Sequence, residues 1–553
     1  MADKDDDMTN STLPKMNLLD EFWAAWKNGA GMFLEAYVTF AIGNIGSIFK
    51  IIYPTCYGAP IYNGSIHFTG TGDLECNSQI QNSIPTVEIA AIIVGMIFFG
   101  LVGDHMGRLT GLRSTISLYV VGIIGLTVSF GVNLSGLFTM FLIFVIIYCI
   151  GVGGEYPMAS ASASERSEAY QLARGRTVVL TFANQGWGNF INTGIICILL
   201  AITQTGACSG TTLENPSNAT IRVCLQTGAC PDTTVENVYT ENLIGVCDYA
   251  GLQVVWRVQY ALALPIILWL WYLRFCVFRE TEVWKQRQEA KYKNESPAEL
   301  RAKRWKHTKM LFGRKYIGPL IGCAVGWFVW DIAFYGNKLF QGTIMAAVVG
   351  GGNNETLYLI LLYTLLNSFI SLIGYYFAAF TIDTKWMGRV RMQVMGFAVT
   401  CIISLVCGFD FGPISKNSQL FLFLYLVQSF FGQWGPNCTT WLLPVELFPT
   451  DVRGQAHGIS AASGKFGALV ATLIFSYGAP GAKPVGAQTI FIVTGFACLV
   501  GVLVTIIFVK DVTGVPLKQI DRRWSVDFAE AYGGAPNKVG AVEAQEGNNE
   551  DKN

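Results

Sequence analysis

GLVGDHMGRLTGLR, residues 100–113, and GYYFAAFTIDTKWMGRVR, residues 374–391, decide how this chain is built. Each leaves an apolar run, makes a short turn that sets an aspartate a few residues ahead of a Gly-Arg pair, and enters the next apolar run. Glycine permits the tight turn, and Asp104 with Arg108, or Asp383 with Arg389, forms charge-assisted contacts that hold two helices together. Ordinary loop charges would account for the arginines but not for one device repeated at corresponding places. The chain is therefore read as two related halves.

Working outward, the 553 residues are 52% hydrophobic and 14% charged, with a mean hydropathy of +0.41, too apolar for a soluble domain. The formal net charge is zero, and no basic-aromatic patch invites nucleic acid. Apolar runs of about 20 residues, the length that crosses a bilayer core, fall near 29–53, 86–105, 113–132, 136–160, 177–202, 254–276, 316–340, 357–381, 391–409, 418–444, 455–478 and 488–509. The expected fold is an all-α membrane protein with twelve transmembrane helices in two six-helix bundles, residues 29–273 and 316–510. A polar tail, 1–28, with no evident cleavable signal, precedes them, so the first helix is expected to serve as its own targeting signal. A hydrophilic segment, 274–315, separates the bundles, and a tail, 511–553, low in apolar content, is expected to be disordered.

The segment 274–315 is crowded with Arg and Lys, which assigns it to the cytoplasm. Arg108, Arg113, Arg166, Arg174, Arg176, Lys385, Arg389, Arg391 and Arg453 share that side, as do both termini. The opposite loops, near 54–85, 203–253 and 342–356, carry sequons at Asn63, Asn218 and Asn354, as an extracellular face would; the sequon at Asn294 lies on the other side. Cys56, Cys76, Cys208, Cys224, Cys230 and Cys247 fall in these outer loops and are expected to form disulfides, in one of fifteen pairings. The remaining cysteines lie in apolar helices, as small packing residues.

Charges inside hydrocarbon cost roughly 2.5–3.5 kcal/mol each on the insertion scale and so mark function. Glu35, Glu155, Asp331 and Lys465 occupy the first, fourth, seventh and eleventh runs, and are expected to face one hydrated cavity. HGISAASGKFGALV, residues 457–470, is no nucleotide loop: five residues separate Gly458 from Gly464 where four are needed, and Phe466 replaces the magnesium-binding Ser or Thr. Trp327, Asp331 and Tyr335 stack on one helix face. Gln185 and Asn437 add amides, so the donors converge on a hydrogen-bond acceptor carrying negative charge.

The paired loops resemble the gating loops of the major facilitator superfamily, which implies a central site opening alternately to either side. GGEYP at 153–157, FANQGWG at 182–188, WFVWDIAFYG at 327–336 and the stretch from Phe431 to Ala468 narrow the resemblance to the phosphate:proton symporters. It covers about residues 29–509. The resemblance implies that Tyr156, Gln185, Trp327, Asp331, Tyr335, Asn437 and Lys465 bind inorganic phosphate, that Glu35 and Glu155 carry the coupled protons, and that Asp104, Arg108, Asp383 and Arg389 form the gating loops.

On this reading the protein is a secondary active transporter of the plasma membrane, whose partners are phosphate, protons and lipid, with no metal or other cofactor. A related transporter of glycerophosphodiesters is the alternative, since the Glu form of GGEYP occurs there. A phosphate sensor belongs to another class, and a sugar carrier would not need Lys465. No HExxH, GxSxG or nucleotide loop suggests an enzyme.

Overall fold

The computed structural model describes residues 17–53, 56, 78–169, 172–203, 249–280, 296–339, 341, 344–345, 357–477 and 485–533, and none of these forms a strand. The first half contains α1 (Leu18–Ile52), α2 (Ser78–Met106), α3 (Arg108–Thr127), α4 (Leu134–Ala169), α5 (Arg174–Ile202), α6 (Tyr249–Ala261) and α7 (Ala263–Tyr272). A connecting helix, α8 (Pro297–Leu311), leads to α9 (Ile317–Leu339), α10 (Leu357–Thr381), α11 (Gly388–Phe409), α12 (Phe411–Lys416), α13 (Ser418–Gly432), α14 (Cys438–Leu447), α15 (Arg453–Tyr477), α16 (Ala487–Phe508) and α17 (Leu517–Tyr532).

Among the described residues, eleven helical segments are long and apolar enough to cross a bilayer. The twelfth span, α13 into α14, is broken by a π-helical turn at Gln433–Asn437. Pro436 lacks a backbone donor, and Gly435 departs from helical geometry at φ −100°, ψ −106°. Large apolar side chains such as Phe423, Phe496, Leu503 and Ile507 remain on the outside, suited to lipid.

Within the first half α2 packs on α4 and α1 on α5; within the second, α9 packs on α15 and α11 on α16. The halves meet where α2 crosses α15 and α5 crosses α10. The first crossing is a backbone contact: a methyl group on Gly458 would lie 2.7 Å from the Met96 carbonyl and 3.3 Å from Gly100.

Two tail expectations are corrected. The first helix begins at Leu18 rather than residue 29, because the Asn17 side chain caps it by accepting from the Asp20 amide at 2.8 Å, and Asp20 and Glu21 suit the positive helix end. Residues 517–532 of the supposedly disordered tail form α17, which buries Leu517 and Trp524. The Trp524 indole donates to His307 of α8 at 2.9 Å, while Asp527 accepts from Lys315 and from the Tyr316 hydroxyl, both at 2.5 Å. Burial and that neighbouring carboxylate push the Tyr316 hydroxyl upward from its ordinary value. In α8 a capping box joins Ser296 and Glu299, and the Ser296 backbone and side-chain bonds hold the exposed Glu299 carboxyl below its usual range.

Cys56 is disulfide-bonded. The other five outer cysteines and all four sequons lie outside the described residues.

Candidate functional site

Six helices bring the sequence-predicted residues to the boundary between the halves. From α1, Glu35 accepts from the Tyr156 hydroxyl of α4 and from the Gln185 amide of α5, each at 3.0 Å; Gln185 also donates to the Tyr156 oxygen at 3.0 Å. From the other half, Lys465 of α15 donates to Asp331 of α9 at 2.8 Å. Its ammonium lies 4.9 Å from the Tyr156 ring centre and 4.5 Å from that of Tyr335. Tyr156 therefore touches both groups of charges. Trp327, Asp331 and Tyr335 share the expected face of α9, and the Trp327 ring lies 6.2 Å from Tyr156. All of these side chains are buried, Glu35 completely and Asp331 and Lys465 to within 2%.

A hydrogen-bond chain crosses the boundary behind them. The Trp330 indole donates to the Asn437 oxygen at 2.7 Å, the Asn437 amide donates to Tyr375 at 2.6 Å, and Tyr375 donates to the Gln185 oxygen at 2.7 Å. The broken helix supplies Asn437, whose amide also reaches Gln433 at 2.7 Å. Gln185 and Asn437 are thus partnered throughout, and would bind a substrate oxygen by exchanging a partner.

Glu155 does not join this cluster. Its carboxylate pairs with the Arg274 guanidinium and accepts from Thr115 at 3.2 Å, inside the first bundle. The expectation that it shares a cavity with Glu35 is corrected: α4 sends Tyr156 toward the boundary and the preceding Glu155 toward α3 and the π turn that follows α7 (Leu273–Val277). Breaking such a pair leaves a buried guanidinium uncompensated. Glu155→Gln is expected to lower stability by about 3–5 kcal/mol, read as a fall in Tm of the purified protein; an unchanged Tm would contradict this assignment.

At one end of the boundary, called here the latch face, the repeated loops act symmetrically. Gly107 and Gly388 take positive φ values of 100° and 67°, as the turns demand. Arg108 contacts Asp104 at 2.6 Å and Glu165 at 3.1 Å; Arg389 contacts Asp383 and Glu446, each at 2.7 Å. Each aspartate then crosses to the other half and accepts from a helix N-terminus. Asp104 takes the Gln455 amide of α15 at 2.8 Å, and Asp383 takes the Arg176 amide of α5 at 2.7 Å. Arg174 reaches across to Glu446 at 2.8 Å, and Arg453 lies 3.8 Å from Glu165. Glycine makes room at both caps: a methyl on Gly454 would lie 2.6 Å from Asp104, and one on Gly175 would lie 2.5 Å from Asp383.

A family model described as "Sugar (and other) transporter" matches residues 247–524, half of the chain. The chain belongs to the sugar (and other) transporter family. Low affinity inorganic phosphate transporter 3 of Petunia hybrida is 27% identical, covering 93% of this chain and 96% of that protein. Inorganic phosphate transporter 1-2 of Oryza sativa subsp. japonica is 26% identical over 94% and 98%. Glycerophosphoinositol permease 1 of Candida albicans (strain SC5314 / ATCC MYA-2876) is also 26% identical, over 89% and 79%. Among solved structures, the proton:xylose symporter XylE bound to 6-bromo-6-deoxy-D-glucose superposes with a TM-score of 0.65 at 17% identity, covering 92% of this chain and all of that one. The fold is that of the major facilitator superfamily.

In this sugar (and other) transporter family member the structure adds candidate site residues that sequence reading passed over. Glu165 and Glu446 complete the two latches, yet each lies near the end of a mostly apolar run and looks like a loop charge. Tyr375 bridges the bundles from within the quoted repeat; nothing in the sequence separates it from Tyr376 beside it. Glu88 of α2 is buried with one oxygen unpartnered, and a carboxylate in an apolar run is the same signal that found Glu35.

Proposed function

We propose that this chain is a secondary active transporter carrying inorganic phosphate with protons, the two bundles rocking about the Glu35–Lys465 region. One observation carries the reading: a buried lysine, offset by a single aspartate, meets a buried glutamate through a shared tyrosine at the boundary of two latched bundles. Lys465 is the charge that attracts an oxyanion, and Asp331 lowers the cost of burying it. Tyr156, Gln185, Trp327, Tyr335 and Asn437 supply donors that fix a tetrahedral oxyanion. The names of the phosphate-transporting relatives support this substrate.

Glu35 is the proton carrier in this mechanism. When protonated, it removes a negative charge from beside the incoming anion; when it releases the proton after the latch face opens, its returned charge repels phosphate outward. Glu155, already balanced by Arg274, takes part only if that pair opens. The latch face is cytoplasmic by its excess of Arg and Lys, both termini lie on that side, and the membrane is the plasma membrane. Asp104, Arg108, Asp383 and Arg389 act as gating residues. No chemical conversion of the substrate is involved.

Glu35→Gln is expected to abolish accumulation driven by a proton gradient while phosphate exchange persists within about tenfold of wild type, since only differential proton binding is lost. Uptake and counterflow in the same proteoliposomes check this, and equal loss of both would refute the division of roles. The substrate is tested by competing unlabelled phosphate, arsenate, sulfate and a glycerophosphodiester against labelled phosphate. Phosphate and arsenate should compete best. Stronger competition by the diester would favour the second reading, motivated by the Candida albicans relative and by Glu155, while binding without uptake would favour a sensor.

A further inference from the structure

Lys338, one turn beyond Tyr335 on α9, is not used by the mechanism above. Its ammonium nitrogen is buried and, among the described residues, has no acceptor within hydrogen-bonding distance, unlike that of Lys465, which Asp331 holds. Positions 331, 335 and 338 fall on one helix face. Lys338 lies about 10 Å further from the latch face than Asp331, at 1.5 Å per residue. The Tyr335 hydroxyl, on a side chain 97% buried, lies beside Tyr156 and makes no hydrogen bond of ordinary geometry among the described residues. Phe40 of α1 closes this spot from the other bundle: its ring lies 5.9 Å from the Lys338 ammonium and 6.3 Å from the Tyr335 ring. Two buried donors, one of them cationic, thus flank the Phe40 ring at the bundle boundary, and among the described residues neither has an acceptor in hydrogen-bond contact. A buried cation without a partner is costly, and an anion bound there would offset that cost.

We propose that Lys338 and the Tyr335 hydroxyl form a second oxyanion station, on the side of the Glu35–Lys465 cluster away from the latch face, which holds a phosphate group before it passes to Lys465. The order of the two binding events rests on the transport reading, whereas the existence of the site does not. Lys465 is offset by Asp331, so the charge of Lys338 adds to its attraction on the side away from the latch face. Phe40 contributes an apolar wall that moves with the other bundle, so the station is rebuilt each time the two halves reseat.

The test uses the full-length protein in detergent and in proteoliposomes, with labelled inorganic phosphate as the probe. Lys338→Gln is expected to weaken equilibrium phosphate binding and raise the uptake KM about tenfold, the loss of one charge-assisted hydrogen bond, with kcat changed less than about twofold. Lys338→Arg should recover most of the affinity. In phosphate-free buffer Lys338→Gln should unfold at or above the wild-type Tm, because it removes an uncompensated buried charge, and its phosphate-induced rise in Tm should be smaller. Unchanged binding and KM in Lys338→Gln would overturn the station, as would a failure of Lys338→Arg to recover affinity. If wild type binds phosphate but vesicles accumulate none, the transport reading falls and the binding arm alone decides the station. If wild type binds no phosphate, both fall.

Discussion

Lys465→Ala is expected to abolish phosphate accumulation and to destabilise the protein at the same time. The lysine is buried and is the hydrogen-bonded partner of Asp331 at 2.8 Å. Removing it leaves a carboxylate in a low-dielectric interior, a loss of about 3–5 kcal/mol when one member of a buried pair is deleted. The same change converts an attractive site for an oxyanion into a repulsive one, so binding fails as well as folding weakens. The two effects separate in the double variant Asp331→Asn with Lys465→Gln, where no unpaired charge remains. Its Tm should return toward wild type while uptake stays absent. Thermal unfolding of purified protein and labelled uptake measure the two arms; wild-type uptake in Lys465→Ala would remove the central claim about this site.

The second large effect concerns the latch. Glu446 accepts from Arg389 of its own half and from Arg174 of the other, so one carboxylate balances guanidiniums of both halves. Glu446→Gln leaves two guanidiniums without their shared counter-charge. The latch face loses the shorter of the two ion pairs that span it, and the closed state loses stability relative to the open one. Each 1.4 kcal/mol shifts such an equilibrium about tenfold, so the loss of one buried pair is enough to invert a closed-to-open ratio. Accumulation should fall more than tenfold while exchange at equal concentrations is retained in part. Parallel accumulation and exchange assays check this; unaffected accumulation would show that the cross-bundle pair does not hold the gate.

The fold and much of the site were legible because lipid imposes strong rules on sequence. Runs near 20 residues, repeated Asp and Gly-Arg turns, and isolated charges in apolar helices point the same way. Asp331 and Lys465, 134 positions apart in the sequence, meet in one buried hydrogen-bonded pair. What stayed hidden followed from local geometry. Glu155 and Tyr156 are neighbours in sequence, yet successive helical residues point about 100° apart, so one reached the boundary and the other an arginine within its own bundle. The twelfth span reads as a continuous apolar run, and its π turn follows from Gly435 and Pro436, whose consequence depends on the close approach of Gly396. The tail was judged by composition, although Leu517, Ile520, Trp524 and Phe528 repeat at helical spacing; periodicity was the better guide there.

That tail has a consequence for how the gate is set. The segment after α16 gives the Val515 carbonyl to Arg174 of the first half at 2.9 Å, then lays Asp521 against the Thr450 amide of the second at 2.7 Å. It works as a strap fastened to both sides of a hinge. Any motion that parts the two halves at this face has to break one of these two bonds.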